Sequence, residues 1–127
     1  MVAKMIYMSR DAVSGMLAYF KSLHPREGIL LMRGRVKKDA IHVEQLILPP
    51  KPTLAEDFSS FSLYDLPLDF SILGIAHSHP NGVQQPSLED LNNFYGRFMV
   101  IATYPYRSEA DIGVFDREGN RVVFKVI

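Results

Sequence analysis

The sequence predicts one α/β domain whose sheet is mixed or largely antiparallel. Apolar stretches with strand and helix spacing follow one another in the order strand, helix, three strands, helix, three strands. A chain of 127 residues is long enough for one domain with one sizeable core. Hydrophobic residues make up 47% of the composition, which is typical of a globular rather than a disordered chain. We therefore treat residues 1–127 as a single domain.

The first half of the chain supplies a helix and three strands. Residues 4–9 predict a short strand, and Ser9 can cap a helix over residues 10–23, where apolar side chains recur at helical spacing. Residues 28–36 form an apolar run that is too short for a helix, and residues 41–49 alternate between apolar and polar. Both stretches predict strands.

The second half supplies a second helix and four more strands. Residues 70–79 predict a strand, and Ser87 opens a helix that reaches about Tyr95. Three further stretches predict strands, the last two joined in a closing hairpin: residues 98–105, 110–116 and 121–127. Between the halves, residues 49–69 form a proline-rich, acidic loop. A loop of this length in a compact domain is usually functional or mobile.

The composition excludes several kinds of partner and site. Fourteen basic residues balance fourteen acidic ones, so there is no electrostatic reason to expect nucleic acid or an anionic membrane as a partner. There is no cysteine, which excludes disulfides and thiolate metal ligands. No apolar run is long enough to span a membrane. The first residues lack the features of a signal peptide, so we expect a cytoplasmic protein.

A His-x-His pair at the end of a predicted strand stands out. Residues i and i+2 of a strand share a face, so His77 and His79 project side by side. Asp90, near the start of the next helix, would face back toward them. Two imidazoles and one carboxylate form a zinc set that leaves the fourth position for water, as in catalytic sites. The alternative is that Ser87 and Asp90 only form a helix capping box and the histidines are structural. From the spacing alone, both interpretations remain open.

A catalytic metal site also needs a base that accepts a proton. Glu27 is favoured because it opens a buried strand, where a charge is costly without a role or a partner. It could instead be a solvated residue beside Arg26. The other glutamates outside the His-x-His stretch are less favoured: Glu44, Glu56, Glu109 and Glu118.

The stretch His77-Ser78-His79-Pro80, followed after six residues by Ser87 and after two more by Asp90, resembles the JAMM motif of the MPN+ zinc metalloproteases. Upstream, Glu27 and the hydrophobic run that follows it and ends at Gly34 resemble the family's glutamate strand. The resemblance extends over nearly the whole chain. It implies a cytidine-deaminase-like fold, with a curved, mixed and mostly antiparallel sheet flanked by two helices.

The resemblance also implies roles for five residues. His77, His79 and Asp90 would bind one Zn²⁺ per chain, Glu27 would be the general base, and Ser87 would donate a hydrogen bond to the oxyanion. The compact length is most similar to stand-alone archaeal and bacterial members. The resemblance therefore implies an isopeptidase that cleaves after the C-terminal Gly-Gly of ubiquitin-like small modifiers. Alternatives are a protease that matures a sulfur-carrier protein or releases an amino acid from it, a non-catalytic scaffold, and a DNA-repair relative.

The resemblance places residues 50–69 at the family's first insertion, which lines the substrate cleft. Phe58, Phe61 and Tyr64 would contact the modifier, or would simply pack over the sheet. Some small members carry a cysteine in the loop after the histidines, whereas Gln84 stands near that place here. A homodimer is compatible with the resemblance.

Overall fold

The structure is a computed structural model that describes residues 5–49 and 70–127. Within these ranges the strands and helices follow the predicted order, with a 3-10 turn added at Glu109–Asp111. They are β1 (Met5–Met8), α1 (Arg10–Leu23), β2 (Ile29–Lys37), β3 (Ala40–Ile47), β4 (Ile72–His79), α2 (Leu88–Asn92), β5 (Phe98–Thr103), β6 (Ile112–Phe115) and β7 (Phe124–Val126). None of the helices in these ranges is long and apolar enough to cross a membrane.

Within the described ranges, the strands form a seven-stranded sheet in the order β6-β5-β4-β2-β3-β1-β7. Strand β2 pairs antiparallel with β3 and β4, and β5 pairs antiparallel with β6. Strand β1 pairs parallel with β3 and β7, and β4 pairs parallel with β5. The sheet is therefore mixed, and the predicted architecture of a curved sheet flanked by two helices is confirmed.

The prediction of a closing hairpin is wrong for the last strand. The chain does turn back after β6, because Phe115 bridges Arg121 and the Val122 N–H donates to the Val114 carbonyl at 2.8 Å. It then leaves β6, and β7 pairs with β1 at the opposite edge of the sheet. The physical reason is burial, since Phe124 and Val126 pack against the core that surrounds α1.

Helix α1 packs on one face of the sheet. The Ser9 side chain accepts the Ala12 N–H at 3.1 Å, which satisfies one donor of the first turn. The helix ends before His24, whose backbone is extended. Its buried residues lie in the largest cluster of the described core, together with buried apolar side chains from β1 to β6, while the partly buried side chains of β7 pack against this cluster. The buried residues of α1 are Ala12, Val13, Met16, Leu17 and Phe20.

The opposite face of the sheet carries the segment that contains α2. This helix ends at Asn92, earlier than the sequence predicts, and Phe94 then packs against Met99 and Ile101. In β4, Ala76 belongs to the cluster around α1, whereas Ile75 belongs to a cluster on the other face. The alternation of the strand therefore puts the histidines after Ile75 on the face of α2.

Candidate functional site

The end of β4 brings all the site residues predicted from the motif into one pocket. Ile29 of β2 lies opposite His77, and the Ser78 N–H donates to the Gly28 carbonyl at 3.1 Å. Continuing this register puts Glu27 level with His79. A pocket of about 250 Å³ opens here, lined by Glu27, Ile29, Ile75, His77, His79, Asn81, Ser87, Glu89, Asp90 and Asn93.

His79 is held at both ring nitrogens. Its Nδ1 lies 2.9 Å from the Val83 carbonyl oxygen, and its Nε2 lies 3.0 Å from Oδ2 of Asp90. A carbonyl only accepts, so Nδ1 carries the hydrogen. Nε2 faces an ionised carboxylate, and such a contact needs a cation between the two atoms, either the second proton of an imidazolium or a metal ion. Burial lowers the pKa of His79, but the hydrogen bonds to Asp90 and Val83, together with the negative charges of Asp90 and Glu27, outweigh it, so the net shift is upward.

Asp90 serves the helix and the site at once. The Ser87 N–H donates to Oδ2 of Asp90 at 2.9 Å, and the Asp90 N–H donates to Oγ of Ser87 at 3.0 Å. This is the predicted capping box. Burial raises the pKa of Asp90, but the hydrogen bonds from His79 and Ser87 lower it to about 2. The carboxylate is therefore ionised and directed at His79 while it caps α2.

His77 contributes a buried nitrogen that needs a partner. Its Nε2 has no hydrogen bond to any residue in the described ranges. Burial lowers the pKa of His77 to about 4. The neighbouring His79 also lowers this pKa, whereas the charge of Asp90 raises it. The ring is therefore neutral near pH 7 with a buried polar atom, which costs about 1–3 kcal/mol when unsatisfied.

These three side chains fit a zinc ion by chemistry. Two imidazole nitrogens and one carboxylate oxygen are a donor set typical of catalytic zinc, and the orphaned Nε2 of His77 would gain a ligand bond. As they stand, His79 and Asp90 close on each other, and in the described part of the chain no three such side chains enclose an ion. The fit therefore rests on the donor set and the buried nitrogen.

Glu27 lies in the pocket and the other described candidates for the base do not. Its negative charge raises the pKa of both His79 and Tyr106, so its carboxylate is near both side chains. Glu44 instead pairs with Arg35 at 2.9 Å on an exposed part of the sheet. Glu109 and Glu118 are exposed and do not line the pocket, and Glu56 lies outside the described residues.

Comparison with known proteins identifies the family. The family model of prokaryotic homologues of the JAB domain (Prok-JAB) matches residues 9–116. The chain belongs to the Prok-JAB family. A protein from Haloferax volcanii described as a probable metalloprotease is 34% identical to it over 124 residues, covering 91% of this chain and 76% of the relative.

Solved structures show that the Prok-JAB chain shares the JAB1/MPN architecture. A JAB1/MPN domain protein from Archaeoglobus fulgidus aligns with a TM-score of 0.73 and 31% identity, covering 95% of this chain and 98% of that one. A structure described as JAMM, a metalloprotease-like zinc site in the proteasome and signalosome, aligns with a TM-score of 0.69 and 29% identity. The alignment covers 98% of this chain and 99% of that one. A protein from Desulfitobacterium hafniense aligns with a TM-score of 0.64 over 96% of this chain and 92% of that one. Because the sequence identity is only 20%, this likeness shows the fold alone.

Two residues close to the Prok-JAB site, Ser78 and Tyr106, were not predicted from the sequence. Ser78 is fully buried on the face of α1, and its Oγ accepts the Gly28 N–H at 2.8 Å, which ties the residue after Glu27 to β4. Burial raises the pKa of the Tyr106 hydroxyl, the Ser78 hydroxyl lowers it, and the Glu27 charge raises it. The alternation of β4 was the available signal for Ser78, because a residue between two pocket histidines must point to the other face.

Three predicted substrate-contacting residues of the Prok-JAB chain, Phe58, Phe61 and Tyr64, lie outside the described residues. Gln84, which was noted in the sequence only because it stands near the place of a cysteine in some small family members, directly follows Val83, whose carbonyl contacts His79. Its side chain donates to the Ala110 carbonyl at 3.1 Å and accepts from Arg121 at 2.8 Å. No sequence signal connected Gln84 with Arg121, since 37 residues separate them.

Proposed function

We propose that this protein is a zinc-dependent isopeptidase that hydrolyses the bond after the C-terminal Gly-Gly of ubiquitin-like small modifier proteins. The observation that carries the proposal is that Glu27 shares one pocket with His77, whose buried Nε2 has no partner in the described ranges. Membership of the Prok-JAB family and a relative described as a probable metalloprotease support a metallopeptidase. A related structure described as a metalloprotease-like zinc site supports the choice of metal.

His77, His79 and Asp90 would hold the zinc. Neutral imidazoles and an ionised carboxylate are the forms that bind a metal, and the low pKa values of His77 (about 4) and Asp90 (about 2) provide two of them at pH 7. His79 would bind through Nε2, because its Nδ1–H is used by the Val83 carbonyl. When bound, zinc lowers the pKa of a water molecule and polarises the carbonyl that is attacked.

Glu27 would move the proton. In this proposal its carboxylate accepts a proton from the attacking water, and the oxygen of that water forms the new bond to the carbonyl carbon. Glu27 then gives the proton to the departing amine as the C–N bond breaks. No covalent intermediate with the protein is formed. One proton leaves the water and one reaches the amine, so the carboxylate is restored for the next cycle.

Ser87 would stabilise the developing negative charge on the carbonyl oxygen. Its Oγ accepts the Asp90 N–H at 3.0 Å, so its position at the pocket is fixed by the start of α2. Its hydroxyl hydrogen can then be donated to the oxyanion. The capping role and the catalytic role use different parts of the hydroxyl group, so both can operate at the same time.

The proposal for the substrate body concerns residues 50–69. An extended tail can bind such a segment by strand addition, and Phe58, Phe61 and Tyr64 would contact the folded part of the modifier. Deleting residues 55–64 should therefore slow cleavage of protein conjugates without changing zinc content. A short Gly-Gly-isopeptide peptide should be cleaved equally by both forms. Equal cleavage of protein conjugates would contradict the role of this segment.

The test of the proposed function uses conjugates of the host's own small modifiers. The purified zinc-loaded protein should release the intact modifier, ending in Gly-Gly, from a lysine side chain of its target. Mass spectrometry of the released modifier decides where the bond is cut. A protein that leaves conjugates intact but trims an unprocessed sulfur-carrier precursor would contradict the isopeptidase proposal and support the alternative protease.

A further inference from the structure

One of the two contacts that orient the His79 ring is made to a backbone carbonyl. The Nδ1–H of His79 is directed at the Val83 oxygen, 2.9 Å away. The side chain of Val83 is 52% exposed, so apolar packing does not hold this peptide in place. The loop between Pro80 and Ser87 must therefore be held by its polar contacts.

Two sets of contacts hold the loop, one local and one distant. The Val83 N–H donates to the Asn81 side chain at 3.0 Å, and the Gly82 N–H donates to the His79 carbonyl at 3.1 Å. The distant set acts on the next residue, Gln84, whose side chain also donates to the Ala110 carbonyl at 3.1 Å. Arg121 donates from Nη1 to Oε1 of Gln84 at 2.8 Å and from Nη2 to the Gln84 carbonyl at 3.1 Å. The guanidinium therefore binds the side chain and the backbone of one residue together.

Arg121 is itself anchored. Its guanidinium carbon lies 4.9 Å from the centre of the Phe115 ring, and Phe115 is buried. Its backbone forms an antiparallel bridge with the same Phe115. The planar fork of an arginine can bind two oxygens at fixed spacing, which a lysine cannot reproduce. Arg121 also lies beyond residues 9–116, the part of the chain that matches the family.

We propose that Arg121, acting through Gln84, is a positioning residue for His79. By fixing Gln84, the guanidinium fixes the adjoining Val83 carbonyl, which directs the Nδ1–H of His79 and aims its Nε2 into the pocket. Partners of this kind orient metal-binding histidines and hold their tautomer. This inference rests on the proposed metal site in that His79 is taken as a ligand.

The alternative is that Arg121 only stabilises the fold, and Arg117 provides a matched control for it. Arg117 lies on the same turn after β6, is also exposed, and stands 4.7 Å from the centre of the Phe94 ring. It donates to the Gly96 carbonyl at 3.2 Å but makes no described contact with Gln84. Losing either arginine removes a ring contact and a bond to backbone, but only Arg121 reaches the loop of Val83.

The experiment measures zinc affinity and the His79 ring in the full chain. Arg121→Ala should raise the Kd for Zn²⁺, measured by competition with a chromophoric chelator, by about 10-fold, the lower end of the range for losing the direct partner of a metal-binding histidine, because Arg121 acts through Gln84 and Val83. Arg121→Lys keeps the charge but should bind zinc nearly as weakly as Arg121→Ala. Arg117→Ala should bind zinc with the affinity of the wild type. Gln84→Ala combined with Arg121→Ala should lose less affinity than the sum of the two single changes, because both remove the bond between Arg121 and Oε1 of Gln84.

A second readout needs no metal. In the metal-free protein, the Nδ1 proton of His79 should be visible by NMR because its hydrogen bond protects it from exchange. It should broaden in Arg121→Ala and persist in Arg117→Ala. Unchanged zinc affinity and an unchanged Nδ1 proton in Arg121→Ala would overturn the inference. If the wild type binds no zinc, the proposed function fails, while this proton still decides the role of Arg121.

Discussion

Oδ2 of Asp90 lies 3.0 Å from Nε2 of His79, and the same oxygen accepts the backbone N–H of Ser87. One carboxylate oxygen therefore takes part in the N-terminal cap of α2 and also contacts the last histidine of β4. The start of the helix and the site cannot vary independently, because moving Asp90 away from His79 would also open the capping box. This coupling explains why a sequence pattern typical of a helix cap and a pattern typical of a metal site fall on the same residues.

The first prediction concerns the metal. Purified wild-type protein should contain one zinc per chain, and Asp90→Asn should lose most of it because the amide is a poor ligand for Zn²⁺. The control is Asp111→Asn, since Asp111 also accepts a backbone N–H, from Arg107 at 2.8 Å, but outside the pocket. Elemental analysis measures both. Full zinc content in a His77→Ala, His79→Ala double variant would show that the metal is held elsewhere.

The second prediction separates the base from the ligands. Glu27→Gln keeps the size of the side chain but removes the proton acceptor, so cleavage should fall by about 10²–10⁴-fold with zinc retained. Glu44→Gln is the matched control, because Glu44 is paired with Arg35 on an exposed strand. Steady-state cleavage of a Gly-Gly isopeptide substrate, with zinc measured on the same samples, tests both. A fully active Glu27→Gln enzyme would remove Glu27 from the mechanism.

The third prediction separates capping from catalysis at Ser87. Ser87→Ala should lower kcat by about 10²–10³-fold, which is the usual effect of losing one oxyanion donor. It should also lower the free energy of unfolding by about 1 kcal/mol through the lost cap. Ser9→Ala removes an equivalent cap, the 3.1 Å bond from the Ala12 N–H, far from the pocket. It should lower stability by a similar amount with kcat unchanged. Equal kcat losses in the two variants would assign Ser87 a structural role only.

The fourth prediction concerns pH and the metal-free protein. Burial lowers the pKa of His77 to about 4 from an ordinary 6.5, so between these values the unfolded chain binds a proton that the folded chain does not. The stability due to the neutral ring is therefore complete above pH 6.5 and is lost as the pH falls toward 4. From pH 6.0 to 4.5 the free energy of unfolding should drop by roughly 2 kcal/mol from this group.

Chemical denaturation of chelator-treated protein at these two pH values measures the drop. His77→Gln removes the titrating ring, and its free energy of unfolding should fall by correspondingly less over the same range. The pKa of Asp90 is about 2 in the folded state, so its own stabilising effect is lost mainly at lower pH. A wild-type protein and a His77→Gln variant with the same pH dependence would show that His77 is not buried as a neutral ring.

Sequence periodicity was enough to predict the elements that carry the site. The spacing of His77 and His79 fixed their common face, and the Ser87 cap placed Asp90 at the start of a helix. These are local rules, in which one residue constrains another a few positions away. The choice of Glu27 over Glu44 was weak from sequence because both could stand near a strand end. The pairing of Ile29 with His77 brings Glu27 to the pocket, whose lining does not include Glu44, and that register is a long-range property.

The features that could not be predicted depend on contacts between distant parts of the chain. Strand β7 was expected beside β6 because a tight turn joins their sequences, but burial of Phe124 and Val126 around α1 favours the far edge. Helix α2 is shorter than predicted because Phe94 turns in to pack on β5. The contact between Gln84 and Arg121 likewise links two segments that no local pattern relates.

The position of β7 beside β1 has a consequence for how the protein is made. Strand β1 is synthesised before β3 and can pair with it early, but β7, which pairs with its other edge, is complete only after residues 124–126 have been synthesised. At roughly 5–20 residues per second, that edge stays open for several seconds of synthesis. During this time it can pair with the same edge of a neighbouring nascent chain. Slower translation between β3 and β7 should therefore lengthen the time during which this edge can pair with another chain.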